Sequence, residues 1–259
     1  MEQNQITEHI ARRVLRVVDQ GLTSGLGRPE AGHMCVEAAV CFAMGEPHGQ
    51  QPTCVAKILS RFMIALNDAR WTSNALRATG MRRIAIAQLG TAGTLGEREF
   101  AERLCRLAIT RLLPRVLRSA AVICQDPYSS ILSEEANRCE VDGSAYGRSG
   151  PVARAAAEAA RAASYAALRD GGDESCGLSY SVADVASAVA HAALDSFDAE
   201  DSVYAIGKAL AKAAVCSSTE ADVILSDFAE TVVQILVEFK TPGSAFLGLT
   251  DSGPTERSS

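Results

Sequence analysis

Residues 151–170, PVARAAAEAARAASYAALRD, hold ten alanines in twenty positions, and nothing else in the chain restricts its fold as much. Alanine is the strongest helix former, and its small side chain lets neighbouring helices approach closely, so this stretch reads as a helix packed tightly among others. The remainder agrees. Ile6, Ile10, Val14, Val17 and Val18 recur at helical spacing, predicting a first amphipathic helix over 6–20 that Gly21 ends. MCVEAAVCFAM is apolar on all sides, as a helix surrounded by other elements is, and Gly45 stops it. Further helices are expected over 52–69 with Pro52 in the first turn, and over 73–89 with Ser73 as cap. Thr94 with Glu97, Ser181 with Asp184 and Thr219 with Asp222 have capping-box spacing and predict helix starts near 95, 182 and 220. A helix from 96 to about 124 should kink or break at Pro114, which lacks a backbone donor. Helices over 130–141, 181–195, 200–216 and 219–239 complete the pattern. Alternating β patterns with turn dipeptides are missing. The expected fold is all-α: an irregular antiparallel helical bundle, or a short superhelix of helix pairs, of about nine or ten helices.

Aromatic residues are only 5% of the 259, with a single Trp, so the core must be built from small side chains. Charge is divided along the sequence: residues 1–125 carry 16 basic and 10 acidic groups, residues 126–259 carry 9 and 21. The turn-rich DGSAYGRSGP falls near the change of sign. We therefore expect a basic helical half over 1–141, an acidic alanine-rich half over 151–239 sharing one core with it, and a flexible tail over 240–259. The two charge sets should attract each other within the fold, with an acidic partner protein as the alternative.

No stretch of about 20 uninterrupted apolar residues suits a bilayer, and MEQNQITEHIARR lacks the apolar run of a secretory signal. These observations predict a cytoplasmic protein, whose eight cysteines would be reduced thiols.

The densest group of reactive side chains is His33, Cys35, Glu37, Cys41, His48 and Cys54. His33, Cys35, His48 and Cys54 are the right ligand types for zinc, but their spacing is poor and no C-x-x-C occurs; no cofactor is expected, with zinc the alternative. A thiol nucleophile, Cys35 or Cys54 with His48, lacks any supporting signature. Glu37 needs a partner in its apolar helix, and Arg82 or Arg83 would supply one; Glu37, His48 and Asp68 are otherwise the candidates for acid–base chemistry. In LNDARWTSN, Asp68 and Ser73 read as caps, and Trp71 as a packing ring or partner contact. Arg103, Arg111, Arg115 and Arg118 fall within an arc of about 120° on a continuous helix, a stripe suited to an acidic protein surface. Nucleic acid is disfavoured by the net charge of −6 and the shortage of aromatic rings. G-x-x-x-x-G-K-[ST], H-E-x-x-H and G-x-S-x-G are all missing.

GHMCVEAAVCFAMGEPHGQQPTC at 32–54 and LNDARWTSNALRATGMRRIAIAQLG at 66–90 resemble a group of bacterial proteins of no established activity that carry alanine-rich helices behind such a front half. The alanine-rich half also resembles Imm-5-like bacterial immunity proteins. The expected function is therefore a non-enzymatic protein-interaction module (an adaptor, immunity or regulatory factor) that holds a partner through Trp71 and the arginine stripe; homo-oligomers fit the same expectation. The alternative is a metal- or small-molecule-dependent enzyme centred on His33, Glu37, His48 and Asp68.

Overall fold

A computed structural model describes residues 6–144, 151–170, 176–193, 198–216 and 220–251. Among them the regular structure is helical, and the only β-type pairing is an isolated bridge between Gly27 and Met34. Eleven α-helices are present among the described residues: α1 (Glu8–Val18), α2 (Val36–Met44), α3 (Lys57–Asp68), α4 (Asn74–Ala87), α5 (Glu97–Leu107), α6 (Leu113–Ile123), α7 (Tyr128–Ser144), α8 (Pro151–Asp170), α9 (Cys176–Ala192), α10 (Ala199–Cys216) and α11 (Ala221–Glu238). The expected nine or ten become eleven because the stretch around Pro114 is divided. A π turn, Ala108–Leu112, separates α5 from α6, and the Leu113 amide bonds back to the Ala108 carbonyl. An ordinary helical turn would press the proline ring against the carbonyl four residues earlier, and the wider turn relieves that contact.

The chain forms two compact units, Met1–Glu97 with Asp222–Ser259, and Arg98–Ala221. The boundary therefore lies at 97/98 and 221/222 and not at 142–150, because α7 and α8, on either side of that segment, pack against each other within one unit. Residues 145–150 lie outside the described residues. The sequence-level charge division disappears in this arrangement: the first unit holds 12 basic and 14 acidic residues, the second 13 and 17.

In the first unit, α2 meets α1, α3 and α4, which explains its all-round apolar sequence. Ser73 caps α4 by accepting from the Leu76 amide at 3.1 Å, and Gly45 closes α2 at a φ of 77°. Pro52 lies in a turn before α3, which starts five residues later with Ala56 as its cap. The segment expected to be a flexible tail is partly built into this unit. A 3-10 stretch, Pro242–Thr250, packs on α4. Thr241 Oγ1 donates to the Ala87 carbonyl at 2.8 Å, and the Gly243 amide donates to Leu89 O at 2.9 Å. These bonds satisfy carbonyls that the end of α4 would otherwise leave open. Only glycine fits at 243, since a Cβ there would lie 2.0 Å from the Ile86 carbonyl oxygen. Residues 252–259 lie outside the described residues.

In the second unit α6, α7, α8 and α9 each pack chiefly on the helix that follows, ending with α9 on α10, and α6 also meets α9. Ala156, Ala157, Ala160, Ala163 and Ala167 are the buried face of α8, the close packing its composition implies. Two capping expectations are corrected. Thr94 donates its hydroxyl to the Gly90 carbonyl instead of capping α5, and Ser181 lies inside α9, where Asp184 takes Lys212 of α10 as its partner. Thr219 lies outside the described residues.

Candidate functional site

The cysteine and histidine group does not assemble. Cys35 caps α2, its sulfur accepting from the Ala38 amide at 3.4 Å, and it is Gln50 rather than His48 that approaches this sulfur, at 3.8 Å. His48 Nε2 lies 3.3 Å from the Gly27 carbonyl, and His33 is exposed. Among the described residues no three His, Cys, Asp or Glu side chains come together as a metal would require. Burial pushes the thiols of Cys41 and Cys54 up to about 12 and about 11 and raises Cys35 too. A nucleophilic cysteine needs the opposite shift.

Glu37 is fully buried on α2, and the arginines expected to neutralise it are engaged elsewhere. Arg82 pairs with Asp19 at 2.6 Å, and Arg83 with Glu230 at 2.9 Å and Asp251 at 3.4 Å. What faces Glu37 is neutral: Ser60 of α3 and Gln88, which ends α4. Desolvation raises the carboxyl to about 8, with these two neighbours opposing the rise. In the chain this company shows only as two polar residues, Ser60 and Gln88, in otherwise apolar stretches.

LNDARWTSN forms a clamp. Asn67 Oδ1 accepts from the Val36 amide at 3.1 Å, and its Nδ2 donates to Thr23 O at 2.9 Å and to Asp68 at 2.8 Å. Asp68 accepts from the Gly25 amide at 2.7 Å. Buried Arg77 donates to the carbonyls of Asn67, at 2.8 Å, and Leu22, at 3.2 Å. Together they fix the loop between α1 and α2 onto the end of α3. Asp68 is therefore a loop anchor rather than a helix cap. Trp71 is corrected as a partner contact: it is 6% exposed, and its indole N–H donates to the Leu66 carbonyl at 2.9 Å.

The arginine stripe divides at the π turn. Arg103 turns back to Glu99 of its own helix at 3.0 Å. Arg111, Arg115 and Arg118 instead line an open cleft of about 480 Å³ with Thr110, Ser119, Val122 and Glu140. The extra residue in a π turn rotates everything after it relative to Arg103, which a straight-helix projection cannot show. Arg118 meets Glu140 at 2.6 Å and Asn137 at 2.8 Å, and Arg115 meets Glu220 at 2.9 Å. The hydrogen bond from Arg118 holds Glu140 below the ordinary carboxylate range. Val122 stands 85% exposed at the same cleft. Glu140 escapes a motif search, because only the packing of α7 on α6 brings it to the arginines, whereas Ser119 and Val122 follow Arg115 and Arg118 at i, i+4 spacing on α6 itself.

No family model, curated protein or solved structure matches the chain. Among the described residues no helix is long and apolar enough to cross a membrane.

Proposed function

We propose that this protein is a non-enzymatic interaction module, an adaptor, immunity or regulatory factor of the cytoplasm, that holds an acidic surface of a partner protein in the cleft of α6 and α7. The observation carrying this reading is the convergence of Arg111, Arg115 and Arg118 on one cleft beside the exposed Val122. Guanidinium groups take carboxylates through paired donors, and an adjoining apolar side chain supplies area that water leaves on contact. The charge pairs already in place do not block the site. Arg118 and Glu140 are 44% and 45% exposed, and such pairs are worth about 1 kcal/mol or less, so an incoming carboxylate can replace Glu140 at small cost. We read the consecutively packed helices as irregular antiparallel bundles, which hold such a surface rigid.

The test is purification of the native protein with what it binds, followed by titration of the purified partner against wild type and the variant Arg111→Glu/Arg115→Glu/Arg118→Glu. The expected results are a protein partner, affinity that falls with salt, and a loss of about 100-fold or more in the variant with its helical content intact. A second copy of the chain is the partner if light scattering finds an oligomer that the variant dissolves. A lone protein carrying a metal or small molecule, whose turnover is lost in His48→Ala, would overturn the reading in favour of an enzyme.

A further inference from the structure

In the first unit α2, α3 and the end of α4 each present a polar side chain to the same part of the core. Glu37 and Gln88 are fully buried and Ser60 is 2% exposed. Both carboxyl oxygens of Glu37, the Ser60 hydroxyl, and the oxygen and nitrogen of the Gln88 amide lack any direct hydrogen bond. Yet Ser60 and Gln88 stand close enough to Glu37 to stabilise its charge. The three are near one another without being bonded.

Such an arrangement is held in place from outside. Thr91 Oγ1 donates to the Gln88 carbonyl at 2.7 Å and accepts from the Ala56 amide at 2.9 Å, tying the end of α4 to the start of α3. The Ala92 amide adds a bond to the Cys54 carbonyl at 3.1 Å. These bonds fix the backbone at the end of α4, which carries Gln88, against the start of α3, the helix that carries Ser60. Leaving five polar atoms unpaired in a core forfeits the hydration of each of them without compensation, which a marginally stable fold does not tolerate. A buried water needs about three polar partners, and these five atoms supply them. The ionisable groups on which Glu37 acts, Cys35, Cys41 and Cys54, provide no cation to compensate a carboxylate.

We infer that Glu37, Ser60 and Gln88 enclose an internal water site, in which bound water bridges a protonated Glu37 carboxyl to the serine hydroxyl and the glutamine amide. Protonated Glu37 donates to the water, and the water donates onward to Ser60 Oγ or Gln88 Oε1. The site is a structural cofactor of the core, with water as its ligand.

The experiment is water-oxygen magnetic relaxation dispersion on the full chain, which counts water molecules held long enough to tumble with the protein. The comparison is wild type against Glu37→Leu/Ser60→Ala/Gln88→Leu, with near-UV circular dichroism as the check on folding. The expected result is at least one fewer long-lived water in the variant. An equal count in both, or a crystal structure in which Ser60 and Gln88 bond directly to Glu37, would overturn the inference. If the triple variant does not fold, Ser60→Ala alone decides the matter: the lifetime or number of bound waters falls if the site exists and is unchanged if it does not.

Discussion

Glu37→Gln should remove a specific part of the pH dependence of stability. In the folded chain the carboxyl is fully buried and raised from 4.5 to about 8, chiefly by desolvation. In the unfolded chain it regains its ordinary proton affinity. Below the unfolded value both states keep the proton and pH has no effect through this group. Between the two values the unfolded chain releases the proton while the folded chain retains it, so rising pH favours unfolding. Above about 8 the folded carboxyl ionises too and the loss levels off. A tenfold change in proton affinity is about 1.4 kcal/mol, so the contribution falls by about 3 kcal/mol between about pH 5 and about pH 8. Glutamine preserves the shape and has no proton to lose. The assay is urea denaturation at a series of pH values, followed by the fluorescence of Trp71. It is the single tryptophan, buried in the same unit as Glu37, and so it reports the unfolding of that unit. The stability gap in favour of Glu37→Gln should widen by about 3 kcal/mol over that range. A gap that stays constant with pH would refute the reasoning, since it would mean that Glu37 carries the same charge in both states.

Other perturbations test the surrounding architecture. Gly243→Ala should destabilise the first unit by about 2–4 kcal/mol in the same urea assay, because the added Cβ must displace the Ile86 carbonyl and break the bond to Leu89. Asn67→Ala should cost about 2–3 kcal/mol by leaving the buried Val36 amide without its acceptor, and amide hydrogen exchange at Val36 should accelerate. Arg82→Ala strands the largely buried Asp19 and should cost about 3 kcal/mol, whereas a double-mutant cycle on the exposed Arg118–Glu140 pair should give about 1 kcal/mol or less. Gly80→Ala places a Cβ 2.4 Å from the Trp71 ring, so the emission of Trp71 should shift even where the unit remains folded.

What could be read from the sequence was whatever a few neighbouring residues decide. Gly45 in the left-handed conformation, Ser73 at a helix start and an apolar α2 follow from local rules that no distant contact overrides. The unit boundary does not follow from such rules. DGSAYGRSGP has the composition of a linker, but whether the helices flanking it part or pack is settled by which faces meet, and α7 and α8 meet. The first unit is also discontinuous in sequence, since 222–251 returns to α4, so neither its limits nor its near-neutral charge balance show in a linear count. Glu37 makes the same point for the site. Sequence logic correctly required a compensation for a carboxyl in an apolar helix, and it selected arginine because opposite charge is the visible remedy. The fold uses another: it keeps the proton on Glu37 and surrounds the carboxyl with neutral groups from α3 and α4, leaving Arg82 and Arg83 for the acids Asp19, Glu230 and Asp251. Neutral partners carry no charge pattern along a chain. A buried acid in a single sequence therefore announces a cost, and only the packing tells whether an ion pair or a retained proton meets it.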